Sequence, residues 1–243
     1  MSCYNLSNKK LPLSELRVYI VLFAICLLFS TLSQTFATQA NIVNVLLASS
    51  TIGLLSIGAA LIIGSGGLDL SVGSTLALSA ASAAVVIPFL PWPFVIATCL
   101  LSGILIGFLN GILIALLRIP PFIATLGMLS VARGLALILT DGRPVYGLPD
   151  PIVFIGQGIF CGLPMPIWIF IITGMIVTLI MKCTVFGIHT LCIGDNQQAT
   201  YTAGIKVRRH KIFLYMLSGL LASVAGLVFM GRVNAADPSA GLM

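Results

Sequence analysis

Apolar runs separated by short polar breaks repeat along the chain, at about 18–29, 42–64, 72–90, 94–117, 122–140, 167–182 and 212–231. Most approach the roughly 20 residues that a helix needs to cross a hydrocarbon core about 30 Å thick. The pattern therefore predicts about seven membrane helices. Arg17 followed by the run from Val18 to Phe29, with Thr35-Phe-Ala37 beyond it, has the shape of a secretory leader, but the rest of the chain is itself a string of membrane segments, so an uncleaved first span is the better reading. Pro88-Phe-Leu-Pro91-Trp92-Pro93 predicts a sharp break. The proline-rich segment 141–166 is too interrupted for a span and predicts an ordered or re-entrant loop.

Composition agrees. Of 243 residues 59% are hydrophobic and 7% charged, against about 25% charged in soluble domains, which excludes a water-soluble globule. The expectation is an all-α polytopic helix bundle, one transmembrane domain over 1–243. The net charge of +6 is informative through its distribution. With alternating spans and a cytoplasmic N-terminus, Lys9, Lys10, Arg17, Arg118, Lys182, Lys206, Arg208, Arg209 and Lys211 fall inside, and only Arg143 and Arg232 outside. That asymmetry sets the orientation and is a topology signal rather than a nucleic-acid patch. It makes 184–211 a cytoplasmic loop, makes 141–166 a periplasmic one, and puts Trp92, Tyr146 and Trp168 at the outer headgroup level. The six cysteines are scattered without a C-x-x-C pair, so no disulfide framework or metal site is signalled. Cys26 and Cys99 read as small buried apolar residues. Gly103, Gly107 and Gly111, and Ser218, Ala222 and Gly226, stand at helical spacing and predict close helix packing.

The sharpest local feature is Gly64-Ser-Gly-Gly-Leu-Asp69-Leu-Ser71-Val-Gly73-Ser74, a glycine-rich stretch carrying a carboxylate between two apolar runs. Such backbone at membrane depth is tolerated only against protein or a watery cavity, so it is a candidate pathway lining. A short cytoplasmic turn, with Asp69 or Ser71 capping the next helix, is the plainer alternative. Arg133 lies inside the run 122–140 and needs a partner, for which Asp69 is one candidate. Asn110, Thr125 and Ser130 complete the sparse polar set. Nucleotide-binding, serine-hydrolase and zinc-protease motifs are absent from the sequence, so catalysis and ATP hydrolysis by this chain are not expected. The polar stretch 187–205 predicts a short helix from Asn196 to Ala203.

At these residues the sequence resembles the permease subunits of bacterial ABC importers for monosaccharides, the ribose/xylose/arabinose/autoinducer-2-like group. The runs Ser65-Gly-Gly-Leu-Asp-Leu-Ser-Val-Gly-Ser74, Asn110-Gly111, Pro121-Phe-Ile-Ala-Thr-Leu126, Arg133-Gly-Leu135, Thr140-Asp-Gly-Arg-Pro144 and Gly194-x-Asn196-x-x-Ala199-x-x-x-x-Gly204-Ile205 stand in the family's order over about 40–243. The resemblance implies an inner-membrane permease that pairs with a second permease subunit, a cytoplasmic ABC ATPase carrying ATP and magnesium, and a periplasmic sugar-binding protein. It implies no cofactor, metal or nucleic acid on this chain. It implies that Gly66, Gly67, Asp69, Ser71, Gly73, Asn110, Phe122, Thr125 and Arg133 line or gate the pathway, and that Gly194, Asn196, Ala199, Gly204 and Ile205 couple to the ATPase. Family members continue past the equivalent of Ala240-Gly-Leu-Met243 with a second glycine-rich membrane region, so a truncated product, or one completed by a separate polypeptide, is expected.

Three other readings compete. A stand-alone secondary transporter predicts an inverted repeat with paired broken helices and coupling carboxylates, and no internal repeat stands out in the sequence. A non-transporting remnant is favoured only by the missing C-terminal region. A branched-chain amino-acid permease shares the broad fold, but the Asp69 motif and the 140–144 run lean toward sugars.

Overall fold

The computed structural model describes residues 13–241, so Cys3, Lys9 and Lys10 lie outside the described residues. In chain order the elements are α1 (Leu13–Leu32), α2 (Gln39–Gly64), α3 (Val72–Val86), α4 (Trp92–Ala115), α5 (Pro121–Leu139), β1 (Val145–Tyr146), α6 (Asp150–Gln157), β2 (Ile159–Phe160), β3 (Leu163–Pro164), α7 (Met165–Cys183), α8 (Val185–Asp195), α9 (Gln197–Thr202), α10 (Val207–Val233) and β4 (Ala235–Ala236). The chain is thus all-helical. Each of the seven apolar runs forms a helix, and α2, α4, α5, α7 and α10 are individually long and apolar enough to cross a membrane. The chain is a multi-pass membrane protein. Helix α3 has 15 residues, about 22 Å at 1.5 Å per residue, because it stops ahead of Pro88, which has no N–H to extend the ladder.

The chain divides into two units, one reaching to Leu46 and one from Leu47 onward. In the first, the side chains of α1 from Tyr19 to Leu32 are exposed, and Cys26 with them. The expectation of a buried Cys26 is corrected: in an apolar solvent a small apolar side chain gains nothing by hiding.

The second unit is organised by glycines. A Cβ on Gly103 would strike the carbonyl of Gly219, one on Gly107 the carbonyl of Tyr215, and one on Gly111 would lie 2.8 Å from the Cα of Ile212. Helices α4 and α10 therefore touch backbone to backbone along the expected small-residue stripe. On another face of α10, a Cβ on Gly226 would lie 2.7 Å from the Leu76 carbonyl of α3. The core between these helices holds Leu54, Leu76, Ala77, Ala132, Ala136, Ala225 and Val228, and a second cluster with Ala84, Val95, Cys99, Ile152 and Met230 fills one end. Segment 141–166 is ordered. Its α6 seats Gly156 against Gly231 of α10, β2 and β3 form a small antiparallel hairpin, and β1 pairs antiparallel with β4, Val145 opposite Ala236.

Candidate functional site

Helix α2 ends at Gly64, and the chain runs without regular structure until α3 starts at Val72. Gly66 takes the left-handed conformation at φ 73°, open to glycine without penalty. Within this stretch Asp69 folds its carboxylate back on its own turn: Oδ1 accepts the Ser71 N–H at 3.0 Å and the Ser71 hydroxyl at 2.6 Å. Its Oδ2 accepts the Ser218 hydroxyl of α10 at 3.1 Å, and Asn110 of α4 donates from Nδ2 to Ser71 Oγ at 2.8 Å. The Tyr215 hydroxyl donates to the Leu68 carbonyl at 3.0 Å. Ser71, Asn110, Tyr215 and Ser218 are all buried. The turn is therefore clamped by α4 and α10 rather than standing as a solvated cap, and Ser71 makes no side-chain cap bond to α3.

Arg133, on α5, is not the partner of Asp69. Its Nη1 donates to the carbonyls of Pro238 at 2.5 Å and Ala240 at 2.7 Å. The suggested Asp69–Arg133 pair is replaced by two separate arrangements, because the segment after α10 folds back into the second unit and presents its carbonyls to the guanidinium. Asn234 makes that reversal, closing α10 in the left-handed conformation at φ 54°. Ala235, Ala236 and Ala240 are buried.

This second turn is built like the first. Asp69-Leu-Ser71-Val-Gly73 and Asp237-Pro-Ser239-Ala-Gly241 share the pattern D-x-S-x-G, each preceded three residues earlier by a left-handed residue, Gly66 or Asn234. Asp237 Oδ1 accepts the Ser239 N–H at 2.8 Å and its hydroxyl at 2.6 Å, repeating the bonds of Asp69. Gly58 faces Ser218 and Gly67 faces Tyr215, so α2 and α10 run antiparallel and the two turns lie at opposite ends. The returning segments meet at Gly73 and Gly241, each so near the other that an added Cβ would collide with the opposite carbonyl. The likeness is confined to the turns themselves and is not a repeat of helices. Two short turns separated by most of the chain, in surroundings that share little else, gave too weak a signal until their hydrogen bonds were visible.

Beside this crossing lies a cavity of about 400 Å³, lined by α2, α5, α10 and both returning segments. Gly73 and Arg133 reach it; Asp69, Ser71 and Asn110 form the clamp on its flank. Thr51 of α2 also lines it, a residue that sequence reasoning passed over as one more small polar group in an apolar run. Phe122 and Thr125 stand apart at the start of α5. Phe122 is exposed, and the buried Thr125 returns its hydroxyl to the Pro121 carbonyl at 2.8 Å.

The polar segment 184–211 carries α8 and α9. Asn196 caps α9, its Oδ1 accepting the Ala199 N–H at 2.9 Å, and Gly204 ends the element at φ 84°. Asn196, Ala199, Tyr201 and Gly204 are exposed and Ile205 half-buried, while Thr200 is buried and pins α9 by donating to the Cys192 carbonyl at 2.9 Å. Lys211 reaches across to Gln197 Oε1 at 2.6 Å. Gly194 presses on the first turn, since a Cβ there would strike the Gly64 carbonyl. The two groups of residues singled out from the sequence are thus in backbone contact. Among the described residues no cluster of three His, Cys, Asp or Glu side chains is placed to hold a metal ion.

Residues 41–243 match the family described as branched-chain amino acid transport system / permease component. The ribose import permease protein of Haemophilus influenzae is 37% identical over 235 residues, covering 95% of this chain and 73% of that protein. The ribose import permease protein of Bacillus subtilis is 38% identical over 94% of this chain and 72% of its own length, and the L-arabinose transport system permease protein of Escherichia coli is 38% identical over 91% and 67%. These relatives are transport permeases, not enzymes. No solved structure matches the chain.

Proposed function

The chain belongs to this family of transport-system permease components, and from that premise we propose that it forms the membrane pathway of an ATP-driven importer for a monosaccharide in the bacterial inner membrane. The observation that carries the sugar reading is identity of 37–38% over more than nine-tenths of the chain to permeases named for ribose and arabinose. In this reading the N-terminus is cytoplasmic and there are seven spans, α1, α2, α3, α4, α5, α7 and α10, with α3 completing its crossing through the non-helical stretch before it. The positive-inside asymmetry supports the orientation. The protein works beside a second permease subunit, with a cytoplasmic ABC ATPase that holds the ATP and magnesium, and receives its sugar from a periplasmic binding protein.

The arrangement suits a division of labour. The capped, exposed α9 with Asn196, Ala199, Gly204 and Ile205 offers a surface for the ATPase. The contact of Gly194 with Gly64 gives a displacement of that surface a short mechanical route to the turn holding Asp69. The pathway then runs past Gly66, Gly67, Asp69, Ser71, Gly73 and Asn110 toward Arg133, with Phe122 and Thr125 at the start of α5 as its gate. The test is ATP hydrolysis in liposomes that contain the chain, its ATPase and its binding protein. Hydrolysis should rise when the binding protein is loaded with D-ribose, L-arabinose or D-galactose. Stimulation by L-leucine in place of every sugar would transfer the assignment to the amino-acid branch of the family.

A further inference from the structure

The cavity at the crossing of the two D-x-S-x-G turns contains polar groups that the protein leaves without partners. Thr51 sits midway along α2 and is 6% exposed, and its hydroxyl has no hydrogen-bond partner. Thr98, Thr125 and Thr190, by contrast, return their hydroxyls to the carbonyl four residues back. Arg133 spends Nη1 on two carbonyls while its buried Nε is likewise unpartnered. Both residues line the same space of about 400 Å³, inside the range of roughly 300–1,000 Å³ in which small molecules bind. A buried polar atom without a partner costs about 1–3 kcal/mol, so two of them on one cavity indicate groups kept open for something that enters.

We infer that this cavity is a transient binding site for one monosaccharide, with Thr51 and Arg133 Nε bonding to its hydroxyl or ring oxygens and Phe229 supplying an apolar wall for its C–H face. The inference rests on the importer reading and adds to it the place where the sugar pauses. The lining decides between the two substrate classes of the family. Apart from Thr51, Ser74, Arg133 and Arg232 it is apolar or glycine, and it contains no acidic side chain. A zwitterionic amino acid would leave its ammonium uncompensated there, whereas a neutral polyol needs only a few hydrogen bonds.

The test is equilibrium binding of tritiated D-ribose, L-arabinose and D-galactose to the full chain in lipid nanodiscs, without binding protein or ATPase. At least one sugar should bind saturably, with no competition from L-leucine. Thr51→Val should weaken that binding about tenfold, the value of one hydrogen bond, and Thr51→Ser should restore it. If Thr51→Val fails to fold, Phe229→Leu serves in its place and should weaken binding as well. Absence of saturable sugar binding, or a Thr51→Val chain that binds like its parent, overturns the site. Because sugar-stimulated ATP hydrolysis is measured separately, its persistence alongside absent binding would refute the cavity and leave the importer standing. Saturable binding of leucine alone would refute the sugar site outright.

Discussion

Asp69 joins the first turn to α10, and the cost of removing it can be worked from its contacts. The carboxylate accepts three hydrogen bonds, two from Ser71 and one from Ser218. In Asp69→Asn the amide carbonyl keeps both bonds from Ser71 as neutral ones, and the amide nitrogen can donate to Ser218 Oγ, so geometry survives and charge assistance is lost. Hydrogen bonds inside membrane bundles average about 0.6 kcal/mol, and losing charge assistance roughly halves each of the three, which puts the loss at roughly 1 kcal/mol. For a chain of this size that lowers the melting temperature by about 2–4 °C. Asp69→Leu removes every acceptor and strands the buried Ser71 and Ser218 hydroxyls, a loss of roughly 2–4 kcal/mol and about 5–15 °C. Thermal denaturation of the detergent-solubilised chain, followed by far-ultraviolet circular dichroism, measures both. The expected order is parent, then Asn, then Leu, with reduced sugar uptake already in the Asn variant. An Asp69→Leu chain that melts with its parent would refute the clamp, and normal uptake by Asp69→Asn at normal expression would refute a role for the charge in the pathway.

Gly107→Val should lower folded yield and destabilise by about 1–3 kcal/mol, because the atom in its way is the Tyr215 carbonyl and backbone cannot step aside; Gly127→Ala, with nothing within 4 Å of the added carbon, should be neutral or stabilising in the same melt. Asn196→Ala removes the cap of α9, worth about 0.5–2 kcal/mol, and should weaken co-purification of the ATPase without changing membrane insertion. Gly204→Val forces a β-branched residue to φ 84° at a strain of roughly 1–3 kcal/mol, and should impair ATPase docking and sugar-stimulated hydrolysis more than Asn196→Ala does, again with insertion intact; unchanged docking would remove 204 from the coupling surface.

Much of the architecture was legible because membrane helices announce themselves by length and hydrophobicity, and all seven runs became helices. The stripe of Gly103, Gly107 and Gly111 was readable too, since small residues at helical spacing have one main use in lipid. The short helix starting near Asn196 followed from the polar break, while the capping role of Asn196 became visible only in the structure. Partnerships were harder. Arg133 was seen to need a partner, but oxygens from a chain segment about a hundred residues away satisfy it, and backbone carbonyls leave no trace in sequence. Thr51 was missed for a related reason: whether a helical threonine bonds to its own backbone or faces a cavity is decided by its neighbours. The burial expected for Cys26 failed because hydrophobicity in a membrane chain does not distinguish core from lipid.

The proposed role of this chain is to conduct a monosaccharide under the drive of a separate ATPase. It is tested most directly by uptake of radiolabelled D-ribose, L-arabinose and D-galactose into liposomes containing the chain, its ATPase and its binding protein, with and without ATP on the ATPase side. At least one sugar should accumulate, and its accumulation should require both ATP and the binding protein. Accumulation that proceeds without ATP, or a correctly assembled complex that moves leucine and no sugar, would contradict that role.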